Sequence, residues 1–290
     1  MTTKMPEFQI SPHLSLGLVT LNVAQLDIVA DFYQKVIGLK ILQQTPTAVT
    51  LGTQETPLLQ LLKINAPLAQ PTKAGLFHLA FLVPREEDLA AALAHYRSFD
   101  IFYQGSSNHG YSEALYLQDP EGNGLEIYWD QPVEKWDIRG DGEIVGVTLP
   151  LNEGALLEKF PTMPAWSGLP THTKIGHLHL RVQNLAATED FYVGVLGLSL
   201  KSNYGQRAKF FAAGSYHHHL GANTWQGDNL PQQHATDLGL ISFTLQLPQL
   251  VDLHELCQHW QQLGVTYQEV TETQVVITDP NGLALKIIVL

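Results

Sequence analysis

Apolar positions along the chain fall into short strand-like runs and longer runs with helical spacing, and their order recurs. Leu16 to Val23 is a strand-like apolar run, Leu26 to Val36 carries apolar residues at helical spacing, and several short strand-like runs follow Gly38. This pattern predicts a β-α-β-β-β unit, and four such units emerge at roughly 14–64, 75–130, 175–226 and 238–290. Gly38 and Gly197 follow the last apolar-periodic residues of their helices, and Gly264 closes Leu253 to Leu263; each supplies the left-handed stop. The stretch Asp31-Phe32-Tyr33-Gln34-Lys35-Val36-Ile37-Gly38-Leu39 returns as Asp190-Phe191-Tyr192-Val193-Gly194-Val195-Leu196-Gly197-Leu198, so the two halves are related. A second pair of stretches repeats as well. Gly75-Leu76-Phe77-His78 with Val83-Pro84 corresponds to Gly239-Leu240-Ile241-Ser242 with Leu247-Pro248. Asp119-Pro120-Glu121-Gly122 and Asp279-Pro280-Asn281-Gly282 are turns before the final strands, Leu125 to Trp129 and Leu283 to Leu290. The expected organisation is one domain at 12–130, a connection at 131–172 and a second domain at 173–290. That connection, rich in Pro, Gly and Trp, is long for a compact protein.

Charge and composition narrow the partners. The 290 residues carry a formal charge of −12, which disfavours nucleic-acid phosphate and an anionic membrane surface alike. No apolar stretch approaches the roughly 18 to 20 residues that a membrane helix requires. The N-terminal segment lacks the charged and apolar regions of a secretory signal, and the lone Cys257 forms no internal disulfide, so a cytoplasmic location is expected. Thirteen histidines in a chain only 15% charged point to metal binding or acid-base chemistry.

D-F-Y-x-x-V-[IL]-G-L occurring twice, G-L-F-H-L-A-F at 75–81, Y-L-Q-D-P-E-G-N-G-L-E at 116–126 and I-G-H-L-H-L at 175–180 resemble the vicinal oxygen chelate superfamily. That superfamily includes glyoxalase I, fosfomycin-resistance proteins and type I extradiol dioxygenases. The four-unit length, the Tyr116 to Glu126 spacing and the run Tyr216-His217-His218-His219 look most like bacterial catechol 2,3-dioxygenases. The resemblance implies an α+β fold in which paired units form cup-shaped domains, with metal ligands on the first and last strands of each unit. A twisted sheet curled into a cup brings one inward-facing residue per strand toward a common point.

At those positions the first strands offer Leu18, His78, His177 and Ser242, and the last strands offer Gln60, Glu126, His219 and Lys286. Only units two and three carry metal-binding side chains. Pairing one with two and three with four would split the site and place Lys286 in a metal cup. The expected arrangement is therefore crossed, two with three and one with four, closed within one chain or by a partner chain exchanging halves in a homo-oligomer. His78, His177 and Glu126 would then form a two-His-one-carboxylate face suited to Fe(II), with Mn(II) accepting the same ligands.

Each residue has a plainer reading. His78 alone on its apolar strand would be a core histidine, and His179 competes with His177 because it shares its face two residues on; the Ile-Gly-His register favours His177. A buried Glu126 needs a partner. The resemblance implies an acid-base histidine near the end of unit three. His219 is the expected one, with His217 on its face and His218 turned away, and ligation at a fourth metal position is the alternative for His219. Tyr116 is expected to hydrogen-bond substrate and His109 to assist, although Tyr116 could be strand packing and His109 turn surface. The implied reaction is meta cleavage of catechol or a substituted catechol, a small aromatic diol, with O2. The rivals are a glyoxalase-like isomerase or lyase using four metal ligands, and a metal-free protein that sequesters drugs.

Overall fold

The apolar runs become strands and the helical spacings become helices at nearly the expected places. The computed structural model describes residues 3–68, 72–99, 102–163 and 166–290. The first unit is β1 (Ser15–Val23), α1 (Leu26–Phe32), β2 (Lys40–Gln44), β3 (Ala48–Thr53) and β4 (Thr56–Lys63). The second is β5 (Gly75–Leu82), α2 (Glu86–Tyr96), β6 (Tyr103–Asn108), β7 (Ser112–Gln118) and β8 (Gly124–Asp130). Within the connection lie β9 (Leu149–Pro150) and α3 (Glu153–Lys159). The third unit comprises β10 (Lys174–Arg181), α4 (Leu185–Glu189), β11 (Ser199–Tyr204), β12 (Ala208–Ala212) and β13 (Leu220–Asn223). The fourth comprises β14 (Gly239–Leu247), α5 (Leu250–Leu263), β15 (Gln268–Thr271), β16 (Gln274–Thr278) and β17 (Ala284–Val289).

Strand order shows the crossed pairing, closed within one chain. One sheet runs β15-β16-β17-β14-β1-β4-β3-β2 and joins units four and one; the other runs β11-β12-β13-β10-β5-β8-β7-β6-β9 and joins three and two. Antiparallel contacts between β1 and β14, and between β5 and β10, form the two seams. Both sheets pack onto one continuous apolar core that includes Val19, Phe81, Leu125, Leu178, Phe243 and Leu285. Among the described residues no helix is long and apolar enough to cross a membrane.

The repeated motifs hold this arrangement together. After α1 the helix widens into a π turn, Tyr33–Ile37, which ends at Gly38 with φ +87°, a conformation glycine adopts without steric cost. From within that turn the Tyr33 hydroxyl reaches the Asp119 carboxylate at 3.3 Å, and Tyr192 reaches Asp279 at 3.0 Å. Each aspartate also accepts two backbone N–H bonds from its own Asp-Pro turn. Carbonyls at this π turn and at its repeat after α4, Asp190–Val195, are taken up by the neighbouring unit, Ile37 by the Tyr96 hydroxyl and Val195 by the Trp260 indole. Asp31-Phe32-Tyr33 and its repeat are thus structural, and each tyrosine links a unit of one sheet to a unit of the other. Cys257 is partly buried against the core.

Candidate metal centre

Three strands place the site around Ala80. On one side of β5, Ala80 is paired with Glu126 of β8; on the other it is paired with His177 of β10; and His78 lies two residues earlier on β5 itself. Alternation puts all three side chains on one face, over the fully buried methyl of Ala80. His78 Nε2 lies 3.2 Å from His177 Nε2, and the two nitrogens lie 3.1 and 3.3 Å from Glu126 Oε2. Ligand bonds of about 2.1 Å put cis donors on an octahedral ion about 3.0 Å apart and tetrahedral donors about 3.4 Å apart. The donor atoms therefore fit one divalent ion, and the three residues are the one His/Cys/Asp/Glu group among the described residues that could hold a metal.

Electrostatics agree with that geometry. Burial by itself would raise the Glu126 pKa, but the His177 and His78 imidazoles hold it well below the usual carboxylate range, so it is an anion although only 2% exposed. Burial lowers His78 to about 3 against the opposing pull of Glu126, leaving a neutral imidazole with a lone pair to offer. Two neutral imidazoles and one carboxylate would leave a divalent ion with a single net positive charge.

A bulge re-aims each histidine strand. The β5/β10 ladder skips Phe77 on one strand and Gly176 on the other, next to His78 and His177 respectively. With Phe77 bulged, both it and His78 line the cavity. At Gly176 a Cβ would overlap the Tyr128 hydroxyl, so glycine is required for β10 to approach that closely.

The seam is nearly two-fold, and its symmetry shows where a fourth ligand would stand. His177 is the counterpart of His78, His179 of Ala80, and the counterpart of Glu126 is Gly221, which pairs with His179 as Glu126 pairs with Ala80. The sequence comparison put His219 there; the ladder puts Gly221 there instead. The His179 ring fills the space, with its atoms 3.0 to 3.2 Å from where a Gly221 Cβ would stand. His179 Nε2 is buried without a protein partner, as is His177 Nδ1. In the sheet of units one and four the matching positions hold Leu18, Gln60, Ser242 and Lys286, as expected from sequence.

A cavity of about 310 Å³ opens over the triad, at the small end of the roughly 300 to 1,000 Å³ of small-ligand sites. Phe77, Phe210 and Trp225 form an aromatic wall, and Ile144, Val147 and Thr148 from the connection form another. No lysine or arginine lines it among the described residues. Tyr116 and His109 are both present and bonded to each other at 2.5 Å. His109 Nδ1 lies 2.7 Å from the Val147 carbonyl, to which it can only donate, so Nε2 accepts the Tyr116 hydroxyl proton. Burial beside Glu126 raises the Tyr116 pKa well above its ordinary value and keeps the phenol protonated.

The histidine run departs from its expected placement. Residues 216–219 form an irregular bend before β13, so strand alternation does not apply to them. His217 and His218 both line the cavity, whereas His219 turns away and accepts the Ala213 amide at 3.2 Å through Nδ1. The His218 and His177 ring centroids are 4.3 Å apart. Burial lowers the pKa of all three below the usual histidine value, His219 to about 3. Sequence reasoning also missed Asp130, at the end of β8, which bonds His217 Nε2 at 2.8 Å. Its only sequence signal was its place four residues beyond Glu126.

The profile of the Glyoxalase/Bleomycin resistance protein/Dioxygenase superfamily matches residues 15–127 and 174–287, well over half of the sequence. The chain belongs to that superfamily. Within it, the chain is 35% identical over 269 residues to a Bacillus subtilis (strain 168) protein named catechol-2,3-dioxygenase, covering 91% of this chain and 93% of that one. It is 28% identical over 125 residues to the Rhodococcus globerulus biphenyl-2,3-diol 1,2-dioxygenase 3, covering 42% of this chain and 65% of that protein. Glyoxalase I from Zea mays shares the fold at a TM-score of 0.53 and 14% identity, over 95% of this chain and 93% of that one. A Bacillus subtilis structure shares it at 0.64 and 14% identity, over 97% and 86%. Both superfamily matches run along sequence halves, while the candidate metal centre takes His78 and Glu126 from one half and His177 from the other.

Proposed function

We propose that this protein is an extradiol ring-cleaving dioxygenase that inserts both atoms of O2 into catechol or a substituted catechol, with Fe(II) held by His78, Glu126 and His177. The observation that carries this reading is the three-ligand face over Ala80. That face borders the cavity, and at the matching position of β13 Gly221 offers no fourth donor, the His179 ring standing there instead. The same glycine counts against a four-ligand isomerase site. Three converging metal-binding side chains count against a metal-free binding protein.

Bound iron supplies Lewis acidity and the electron transfer that lets dioxygen react with an aromatic ring. The chain's own groups account for binding and proton movement. Phe77, Phe210 and Trp225 hold the ring by apolar contact, and among the described residues no lysine or arginine lines the cavity to pair with a charged ring substituent. His218 lines the cavity beside His177 and takes the acid-base role that sequence reasoning gave to His219, receiving a ring-hydroxyl proton at Nε2 and returning it as the ring opens. Tyr116 donates to His109, so its oxygen keeps a lone pair with which to accept a bond from the second hydroxyl.

The test is oxygen uptake after anaerobic loading with Fe(II), in air-saturated buffer with catechol. Stoichiometric uptake with a yellow ring-opened product is expected, and His177→Ala should lose iron and turnover together. Full turnover in that variant, or no uptake by the iron-loaded parent with any uncharged catechol, would sink the reading.

A further inference from the structure

Behind the cavity wall, a chain of hydrogen bonds with no part in the three-residue donor group leads to the two cavity-lining histidines, His217 and His218. Tyr216 donates its hydroxyl to Asp130 Oδ2 at 2.8 Å, and Tyr128 approaches the Tyr216 oxygen at 2.7 Å. Because the single Tyr216 proton is committed to the carboxylate, Tyr128 is the donor in that pair. Asp130 Oδ1 lies 2.8 Å from His217 Nε2, and His217 Nδ1 lies 2.7 Å from His218 Nδ1.

We propose that Asp130 and His217 are positioning residues that fix His218 as the tautomer whose bare Nε2 faces the ring-binding cavity. The contact between two adjacent imidazoles at 2.7 Å needs one proton, and by itself is indifferent to which ring carries it. The carboxylate removes that freedom. Asp130 can only accept, so His217 bears its proton on Nε2; a neutral His217 then has a lone pair on Nδ1; and His218 must bear its proton on its own Nδ1. No protein group among the described residues bonds His218 Nε2, and the ring lines the cavity. His217 stacks on Tyr111 with ring centroids 4.4 Å apart and planes 15° apart, and Tyr216 occupies the second carboxylate oxygen so that Asp130 cannot turn away. In water histidine favours the opposite tautomer, with the proton on Nε2, which would present a donor to the cavity instead of an acceptor.

What the lone pair does there rests on the ring-cleavage reading; the tautomer itself does not. The test is therefore ¹⁵N NMR of histidine-labelled full-length protein loaded with diamagnetic Zn(II), the His218 signals being assigned by difference against His218→Asn. We expect a protonated Nδ1 and a bare Nε2 on His218 in the parent, and loss of that tautomer in His217→Phe, whose ring keeps the stack on Tyr111 but cannot accept the proton. A parent His218 protonated on Nε2, or a doubly protonated His217, would overturn the proposal, and so would retention of the Nδ1 proton in the variant. In iron-loaded enzyme His217→Phe should bind iron as the parent does and lose about 10- to 100-fold in kcat, with KM little changed. A change in KM alone would make His217 mere cavity lining. If the parent takes up no oxygen, the dioxygenase reading falls while the NMR result still decides the tautomer.

Discussion

Glu126 and His219 show how burial acts on single ionisable groups with opposite results. Glu126 gives up water yet keeps its charge, because two imidazole nitrogens stand within 3.3 Å of one oxygen. His219 gains only the Ala213 amide as a donor, and burial, with His217 and the Lys174 ammonium adding to it, lowers it to about 3. Below the unfolded histidine pKa of about 6.5 the unfolded chain takes up a proton that folded His219 refuses, so its contribution is intact above that pH and declines toward about 3. At pH 4.5 this amounts to about 2 to 3 kcal/mol lost for that one group. His219→Leu should cost about 1 to 3 kcal/mol at pH 7, where the Ala213 N–H loses its acceptor. Urea unfolding should then show the gap to the parent closing at pH 4.5, and a gap of constant size at both pH values would refute the assignment.

At the scale of elements, the bulged strands β5 and β10 decide the site. Moving a strand's register by one residue exchanges its faces, so the skipped Phe77 and Gly176 determine which side chains meet over Ala80. Gly176→Ala should push on the Tyr128 hydroxyl and on β5, destabilising the fold by about 1 to 3 kcal/mol. Calorimetry with Zn(II) should show weaker binding while far-UV circular dichroism stays that of the parent; undiminished affinity would mean that β10 tolerates the shift. The Tyr192 to Asp279 bond joins elements of different sheets. Tyr192→Phe leaves Asp279 its bonds to Asn281 and Leu283, so a loss of about 1 kcal/mol in denaturant unfolding is expected.

For the whole molecule, the crossed sheets would make an ion held by His78, Glu126 and His177 a fastening between sequence halves. An ion that binds only the folded state, present at a hundred times its Kd, should add about 2.7 kcal/mol to the unfolding free energy. His177→Ala should abolish that increment. Equal stabilisation of both proteins by Zn(II) in thermal unfolding would place the ion elsewhere. The connection between the halves takes part too: Val147 bonds His109 through its carbonyl, while Ile144 and Thr148 line the cavity, so this segment shapes the cavity over the triad as well as spanning the two halves.

The four units, their helix stops and the Asp-Pro turns were legible in the sequence because each is a local pattern of period, glycine and turn chemistry. The three residues that converge over Ala80 were legible as a group because metal-binding side chains are absent at the matching positions of units one and four, and this exclusion by composition also called for the crossed pairing. Only the tertiary structure decided that a single chain closes the cup, that Gly221 and not His219 stands opposite His179, and that His217 and His218 both turn inward to meet Asp130. Two bulges each displace a strand by a single residue, and the irregular bend at 216–219 moves the matching position of unit three from His219 to Gly221. In strands a single residue exchanges one face for the other, and no local pattern in the sequence records such a shift.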